Sequence, residues 1–406
     1  MDKTRDTKLH ISQNYRHTIY ACYLGYITQA VVNNLAPLLF LIFQDQFEIE
    51  LSQITFLVTV NFSVQLLVDF LSAKVVDRIG YRVSVMIGHG CGAAGLIGLA
   101  VFPMIFPDPY VGLLCAVMLY AIGGGVIEVL ISPIVEACPS DNKEAAMSLL
   151  HSFYCWGTVA VVGLSTAFLY VFGKGSWQIL ACLWALLPIA NTIYFSQVPI
   201  NRLTEENEGM SMKELARSKA FWLFFVLMIT AGASEQAMSQ WASAFAESGL
   251  GVSKSVGDLA GPCFFSILMG TSRALYAKFA DRLNLLQFMI GSGILCVCSY
   301  LLAVFAPLPV LSLLGCGLCG LSVGILWPGV FSLASARMPK GGTVMFALLA
   351  LSGDVGCGSG PTLVGLLAGH FSDNLKAGLL AAIIFPLILI AGTVSLYRTK
   401  ERKDNA

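Results

Sequence analysis

Charged residues are scarce in this chain. Asp, Glu, Lys and Arg make up 12% of its 406 residues, whereas a soluble domain carries about 25%. Hydrophobic residues account for 56%, which is more apolar surface than a soluble fold of this length could bury. Several apolar stretches exceed the roughly 18 residues needed to cross a bilayer. The composition therefore excludes an ordinary soluble protein and predicts an integral membrane protein in contact with the lipid bilayer.

The chain also lacks a net charge and sequence motifs for metal binding or nucleophilic catalysis. The formal net charge is zero, so nothing indicates a nucleic-acid partner. We find no cluster with metal-ligand spacing and no nucleophile motif, and we expect no metal, no cofactor and no enzymatic activity. The 12 cysteines lie mostly in apolar runs, where cysteine behaves as a small hydrophobic residue, so no disulfide framework is expected. Residues 1–16 are polar and the first apolar run is too long for a cleavable signal peptide.

Twelve apolar stretches are candidates for membrane-spanning helices. They lie near residues 17–43, 52–76, 83–106, 111–137, 143–172, 177–198, 219–246, 256–280, 285–306, 309–336, 342–370 and 375–397. A polar linker over 199–218 separates the sixth stretch from the seventh. We therefore expect an N-terminal six-helix bundle over 1–198 and a C-terminal six-helix bundle over 219–406.

A charged turn occurs once in each half of the chain. The sequence LSAKVVDRIGYR, residues 71–82, aligns without a gap with LYAKFADRLN, residues 275–284, at an offset of 204 residues. An internal repeat of this kind in a membrane protein indicates a transporter-like architecture of two pseudo-symmetric bundles. Gly80 can take positive φ at little cost, and its equivalent, Asn284, is the next most tolerant residue.

Lys and Arg lie almost entirely on one set of connecting loops. The opposite set contains only Lys174, Lys254 and Lys376. By the positive-inside rule, both termini and the central linker are cytoplasmic, which agrees with an even number of spans. We therefore expect a monomeric, multi-pass protein of the plasma membrane, in a bacterium the inner membrane.

The repeated turn resembles the signature loop of the major facilitator superfamily, whose common form is G-x-x-x-D-R-x-G-R-R/K. Ala73 stands in place of the first glycine and Tyr81 in place of an arginine. The resemblance implies an all-α integral membrane fold of twelve transmembrane helices in two six-helix bundles. Charged residues in and near the two turns would hold a cytoplasmic gate, and the candidates are Asp69, Asp77, Arg78, Arg82, Arg273, Asp281 and Arg282.

Asp69 and Arg273 occupy equivalent positions eight residues before the aspartates of the two turns. That separation is about 12 Å along an α-helix. A charge at such a depth is costly unless it is paired or hydrated. In the superfamily the eighth helix packs near the fifth, so we expect Arg273 to meet Glu144 or Asp141.

Ionisable residues within the apolar stretches are the candidates for ion coupling. Glu128 lies deep in the fourth stretch. A carboxylate inside a membrane is costly when charged and is a functional candidate by default. Protonation removes that cost, so Glu128 is our first candidate for a proton carrier. The other candidates for proton coupling are Glu235, His151 and Asp354.

The segment from Glu128 to Pro133 resembles the E-x-x-x-N-P motif of the fucose permease branch of the superfamily, with Ser132 in place of the asparagine. The seventh stretch, with the sequence GASEQAMSQW, resembles the same branch. The resemblance implies proton-coupled uptake of a sugar or a similar solute. Members of the branch can carry an acidic residue in the first helix, where this chain has Asn33 and Asn34.

Amide and aromatic side chains in the apolar stretches are candidates to bind a polar solute. The amides would hydrogen-bond the solute and the tryptophans would stack on it. These candidates are Gln29, Asn33, Asn34, Trp156, Gln236, Gln240, Trp241 and Trp327. The dipeptide Trp327-Pro328 also predicts a break in the tenth stretch.

We therefore predict a secondary active transporter that works by alternating access. Its partners are a small-molecule substrate and a coupling ion, for which we favour the proton over sodium. Proton-coupled symport of a small polar solute such as a sugar is the preferred mechanism. The alternatives are a proton-coupled efflux antiporter of amphiphilic compounds and a sodium-coupled solute symporter, with sodium held by Asp354 or Glu128.

Overall fold

The computed structural model describes residues 11–49, 51–203, 209–242, 245–246, 251, 259–371 and 374–404. These residues form helices and their connections, without a β-strand. The helices before the linker are α1 (Tyr15–Phe47), α2 (Leu51–Ile79), α3 (Tyr81–Ile105), α4 (Pro109–Ala137), α5 (Lys143–Phe172) and α6 (Trp177–Gln197). Those after it are α7 (Met212–Arg217), α8 (Lys219–Ser239), α9 (Phe264–Phe279), α10 (Leu285–Phe305), α11 (Pro309–Val323), α12 (Leu326–Arg337), α13 (Gly342–His370), α14 (Leu375–Ala382) and α15 (Ile384–Asp404).

Nine helical segments in the described part of the chain are long and apolar enough to cross a membrane. They coincide with nine of the predicted spans, and two of them, Pro309–Arg337 and Leu375–Arg398, each combine two consecutive α-helices. The remaining predicted spans fall on α1, on α2, and on a π-helix at Leu259–Cys263 that leads into α9. The all-helical membrane fold is therefore confirmed, and the count of twelve spans stays a prediction.

Large apolar side chains cover much of the outer surface of these helices. Leu164 is 62% exposed, Leu366 69% and Val310 74%. Such residues would be costly in water, at roughly 25 cal/mol for each Å² of apolar surface. They cost little against lipid chains, so the exposed apolar surface fits a protein that lies within a bilayer.

The chain divides into two compact units. The first contains Met1–Asp141, Gly157–Gly209 and Gly342–Ala347, and the second contains Asn142–Trp156, Met210–Gly341 and Leu348–Ala406. Within the first unit α3 packs along α4, and α4 also packs against α1 and α2. Within the second unit α10 packs along α11, and α9 also packs against α11. The predicted division at residues 199–218 into two six-helix bundles stays a prediction.

Small residues allow close packing of α3 and α4 in the first unit. A Cβ atom added at Gly123 would lie 2.5 Å from the backbone nitrogen of Gly92 and 2.6 Å from the carbonyl oxygen of Gly88. No side chain fits in that space. The two helices therefore approach closely at these glycines, as is usual for helices that pack in membranes.

The two copies of the charged turn have different backbones. Gly80 has φ 90°, as predicted, and it separates α2 from α3. Asn284 has φ −79°, so its tolerance of positive φ is not used. In the second copy a short 3-10 turn at Ala280–Arg282 takes up the change of direction. The Asn284 side chain is then free to cap α10 by accepting a bond from the backbone N–H of Gln287.

Candidate functional site

A chain of hydrogen-bonded polar side chains crosses three helices of the first unit. Gln29 on α1 donates from Nε2 to the Glu128 carboxylate on α4, at 3.0 Å, and to Oε1 of Gln65 on α2, at 3.3 Å. Gln65 in turn donates from Nε2 to Oδ1 of Asn33 on α1, at 2.9 Å. Gln29 and Gln65 are each only 2% exposed. We call these four residues the amide chain.

The helices are shaped to accommodate the amide chain. Gln29 and Asn33 are four residues apart on α1, so they lie on one face, and Gln65 can reach both of them from α2. On α4 the neighbouring positions are glycines. A Cβ at Gly124 would lie 3.1 Å from Oε1 of Gln29, and one at Gly125 would lie 2.9 Å from Cβ of Val68. Larger residues at these positions would push α4 away from the amides.

Further polar contacts surround the amide chain. Asn34 donates from Nδ2 to the carbonyl of Ala30 at 2.8 Å and to the Thr158 hydroxyl at 3.4 Å. The hydroxyls of Tyr26 and Ser132 are hydrogen-bonded at 2.9 Å. Ser132, which replaces the asparagine of the branch motif, is thus a buried partner of α1. The first unit therefore places hydroxyls and amides around one carboxylate.

Arg273 is the centre of a second polar cluster, in the second unit. It lies on α9, is 3% exposed, and forms an ion pair with Glu235 of α8 through Nη2 at 3.4 Å. Its Nη1 donates to the carbonyl of His151 at 3.0 Å and contacts Sγ of Cys155 at 3.1 Å, both on α5. A buried charge needs such partners, because desolvation is otherwise uncompensated.

A further guanidinium bond of this cluster depends on a proline. Nε of Arg273 donates to the carbonyl of Gly324 at 2.7 Å. In a continuous helix that carbonyl would accept from the backbone nitrogen four residues later, which belongs to Pro328 and carries no hydrogen. The predicted break is present as a gap between α11 and α12 at Gly324 and Ile325. The proline therefore releases the carbonyl that Arg273 uses.

The expected pairing of Arg273 with Glu144 or Asp141 is wrong. In the described part of the chain, Glu144 accepts a hydrogen bond from the hydroxyl of Tyr276 at 2.9 Å. Tyr276 lies three residues beyond Arg273 on α9. Because it lies about one turn further along α9, its hydroxyl rather than the guanidinium of Arg273 meets Glu144. The arginine points instead to Glu235 and the carbonyls.

The other predicted coupling and binding residues are distributed over the second unit. The His151 ring lies 5.9 Å from that of Phe331 between centroids. The ring of Trp327 lies against Gly353, next to Asp354, where a Cβ would collide with it. Trp241 donates from Nε1 to the carbonyl of Pro361 at 3.0 Å. These contacts give both tryptophans packing partners within the helices.

The remaining binding candidates lie at less enclosed positions. Trp156 on α5 is 38% exposed, and its ring would be 3.2 Å from a Cβ at Gly270. Gln236 is half-buried on α8, and Gln240 is exposed where that helix ends. The side chain of Gln236 hydrogen-bonds to the carboxylate of Glu235, at the edge of the Arg273 cluster.

The gate candidates have separate environments. Arg82 donates to the carbonyls of Phe195, Ser196 and Val198 at 2.8, 2.9 and 2.8 Å, so it caps the C-terminal end of α6. Asp69 is fully buried on α2. Asp281 accepts from Asn142 at 2.6 Å.

The other gate candidates are on the surface or not described. Arg78 and Arg282 are exposed, and the side chain of Asp77 lies outside the described part of the structure. No three His, Cys, Asp or Glu side chains in the part of the chain that was described could together hold a metal ion.

Sequence reasoning missed several members of these clusters. Gln65 was hidden in an apolar stretch, although it precedes Asp69 by four residues and so shares its helix face. Nothing in the sequence around Thr158 distinguishes it from other threonines of the apolar stretches. The carbonyl of Gly324 could have been found from Pro328, since a proline always frees the carbonyl four residues before it.

Long apolar helices surround buried amides and a buried ion pair in this structure. This combination is typical of a multi-pass membrane protein with a polar interior. A family model described as Major Facilitator Superfamily matches residues 22–361. The match covers well over half of the chain, and the chain belongs to the Major Facilitator Superfamily of membrane transporters. The predicted membership is thereby confirmed.

Solved transporters share the fold. The E. coli fucose:proton symporter FucP superposes with a TM-score of 0.81 at 14% identity, over 93% of this chain and 98% of that one. The proton:xylose symporter XylE, bound to 6-bromo-6-deoxy-D-glucose, superposes with a TM-score of 0.80 at 12% identity, over 96% of each chain. At such identities the likeness concerns the fold alone.

A curated relative was also found by sequence. The membrane protein MosC of Rhizobium meliloti is 25% identical over 260 residues. The matched region covers 63% of this chain and 61% of the length of that relative.

Proposed function

We propose that this transporter is a proton-coupled symporter of a small polar solute such as a sugar. The observation that carries the proposal is the Glu128 carboxylate, bonded at 3.0 Å to a buried amide within apolar helices. The two solved structures that share the fold, a fucose:proton symporter and a proton:xylose symporter, support this proposal. Alternating access would expose the solute to each side of the membrane in turn.

Glu128 serves in this proposal as the proton carrier. A charged carboxylate is costly in a site that is closed to water, and a protonated one is not. Solute and proton therefore cross together, because the occluded state forms readily only when Glu128 is neutral. Glu235 or His151 acts as a relay, and Asp354 is a further candidate for coupling. The proton is favoured over sodium because one carboxylate among amides suffices to carry a proton.

The solute would be bound by amides and aromatic rings. On the first unit these are Gln29, Asn33 and Asn34. On the second unit they are Gln236, Gln240, Trp241, Trp327 and Trp156. The gate at the repeated turns would involve Asp69, Asp77, Arg78, Arg82, Arg273, Asp281 and Arg282. We also propose two six-helix bundles over 1–198 and 219–406, a monomer, and cytoplasmic termini in a bacterial inner membrane.

The test is solute uptake into proteoliposomes with panels of sugars, amino acids and amphiphilic drugs. We expect a sugar or a similar solute to accumulate when the proton gradient is directed inward. Expulsion of amphiphilic compounds under the same gradient would support the antiporter alternative, and a strict requirement for sodium would support the sodium symporter. Either result would overturn the proposal.

Variants at α4 test the assigned carrier. Glu128→Gln should abolish accumulation under a proton gradient and retain exchange of solute across the membrane, because the neutral amide mimics the protonated carboxyl. Glu136→Gln is the matched control, since it removes a carboxylate eight residues further along the same helix. Normal accumulation by Glu128→Gln would exclude Glu128 as the carrier.

A further inference from the structure

The amide chain has a direction. Gln29 donates from its nitrogen to Gln65 as well as to Glu128, and Gln65 accepts with its oxygen and donates from its nitrogen to Asn33. The charged end of the chain accounts for this order. An ionised carboxylate only accepts hydrogen bonds, so Glu128 requires the nitrogen of Gln29 to face it.

The observed order leaves one atom unsatisfied. Oε1 of Gln29 is buried and has no hydrogen-bond partner among the described residues. Such an atom costs free energy. A bond to a charged acceptor is stronger than a neutral one and can offset that cost. The order of the chain therefore depends on the charge of Glu128.

Protonation of Glu128 removes this constraint. A protonated carboxyl can donate, and Gln29 can then turn its oxygen toward it. The oxygens of Gln29 and Gln65 would then face each other, so Gln65 must turn as well. For the same reason Asn33 must turn, so that its nitrogen donates to Gln65.

We propose that Gln29, Gln65 and Asn33 form a polarity relay that couples the charge of Glu128 to the hydrogen bond that Asn33 offers to the solute. With Glu128 charged, the oxygen of Asn33 accepts a hydrogen bond from Gln65, and its nitrogen is available to donate to the solute. With Glu128 protonated, the amide is reversed and Asn33 presents its oxygen. One proton binds to Glu128 and none moves along the chain, because the amides rotate and keep their hydrogens. By linkage, a solute that donates to Asn33 favours the protonated transporter.

The relay rests on the proposed proton coupling and assigns the residues that transmit it. Gln65 is a positioning residue in this scheme. It links Glu128 to the solute without being the proton carrier. The amide of Asn33 is half-buried, so one of its faces is available to a ligand.

Other ionisable groups lie on the helices packed against α4. Within two turns of the amide chain these are Cys22, Tyr23 and Tyr26 on α1, Asp69 on α2, and His89 and Cys91 on α3. The His89 ring nitrogens are engaged with Val85 and Asn191, each at 2.8 Å. Asp69 on α2 and Glu136 on α4 are the other buried carboxyls of these helices among the described side chains, so their titration must be separated from that of Glu128.

The experiment is pH-difference infrared spectroscopy of the full chain in proteoliposomes, with the proton as the probe. Asparagine labelled with ¹³C at the side-chain carbonyl reports the hydrogen bond of Asn33, and an Asn33→Ala variant assigns its band. Glu128→Gln assigns the carboxyl band of Glu128 and separates it from those of Asp69 and Glu136. We expect the Asn33 band to shift as Glu128 becomes protonated.

Variants of α2 decide whether Gln65 transmits the change. In Gln65→Leu, and in Gln65→Met should the first fold poorly, the Glu128 band should still titrate and the Asn33 shift should be lost. Asn61→Leu removes a buried amide one turn away on the same helix and should keep the shift. An Asn33 band that is silent in the unmodified protein, or that still shifts without Gln65, overturns the relay and leaves the proton coupling standing. Absence of any Glu128 titration overturns both.

Discussion

At the scale of single residues, Arg273 has the most demanding environment. It is a nearly fully buried cation, and its partners come from three other helical segments. One partner is a charge, Glu235, whereas the two backbone carbonyls and the Cys155 sulfur carry only partial charge. The ion pair is therefore the interaction whose loss leaves a whole charge buried.

Truncation of Arg273 should destabilise the second unit strongly. Arg273→Leu leaves the Glu235 carboxylate buried without its cation, which typically costs about 3–5 kcal/mol in free energy of unfolding. Thermal unfolding of the purified protein in detergent measures the loss. Glu235→Gln should also destabilise the protein, because the buried Arg273 charge loses its counter-ion. The loss should be smaller than for Arg273→Leu, since the amide oxygen can still accept from the guanidinium. The double variant Arg273→Leu/Glu235→Leu should recover part of the loss, and no recovery would contradict the charge argument.

At the scale of helices, glycines determine how closely α13 and α8 pack. A Cβ at Gly356 would collide with the carbonyl of Ile229, and one at Gly360 would lie 2.6 Å from the carbonyl of Ala233. Both partners are backbone atoms of α8 and cannot move away independently. A third glycine of the same helix, Gly358, has open space at its Cβ position.

This difference gives a matched pair of substitutions in one helix. Gly356→Ala should lower the free energy of unfolding by about 1–3 kcal/mol, as overpacking does. Gly358→Ala should be neutral or should stabilise by up to about 1 kcal/mol, because alanine favours the helix. Thermal unfolding and gel filtration of both variants measure the effect. Equal melting temperatures would show that α13 and α8 are less tightly packed than described.

At the scale of the whole molecule, the distribution of positive charge predicts the orientation in the membrane. Lys143, at the start of α5, is predicted on the cytoplasmic side. Lys174, after its end, is predicted on the outer side. Both side chains are exposed, so both positions can be probed by chemical labelling.

Cysteine substitution at these two positions tests the orientation. Lys174→Cys should react with a membrane-impermeant maleimide in intact cells. Lys143→Cys should react only after the cells are opened. The unmodified protein gives the background from its native cysteines. The reverse pattern would place the termini outside and would contradict the assignment from charge.

Much of the fold was predictable because membrane spans depend on local composition. The lengths of α3, α4 and α10 follow from runs of apolar residues that the bilayer requires. The break before Trp327 follows from one proline. The site was less predictable. Glu128 was identified because it is a carboxylate in an apolar run. Gln65 was not, because the role of a neutral amide among apolar residues cannot be inferred until its neighbours in space are known.

The sequence by itself determined that the chain is helical, membrane-embedded and built on a repeated turn, since these properties depend on residues that are close together along the chain. Only the tertiary structure decided which polar groups meet. Gln65 joins Gln29 because α1, α2 and α4 pack closely at glycines. Arg273 meets Glu235 and Gly324 rather than Glu144, which the hydroxyl of Tyr276 meets instead. The choice of partner for a buried polar group depends on how the helices pack, and this packing cannot be inferred from residues that are neighbours along the chain.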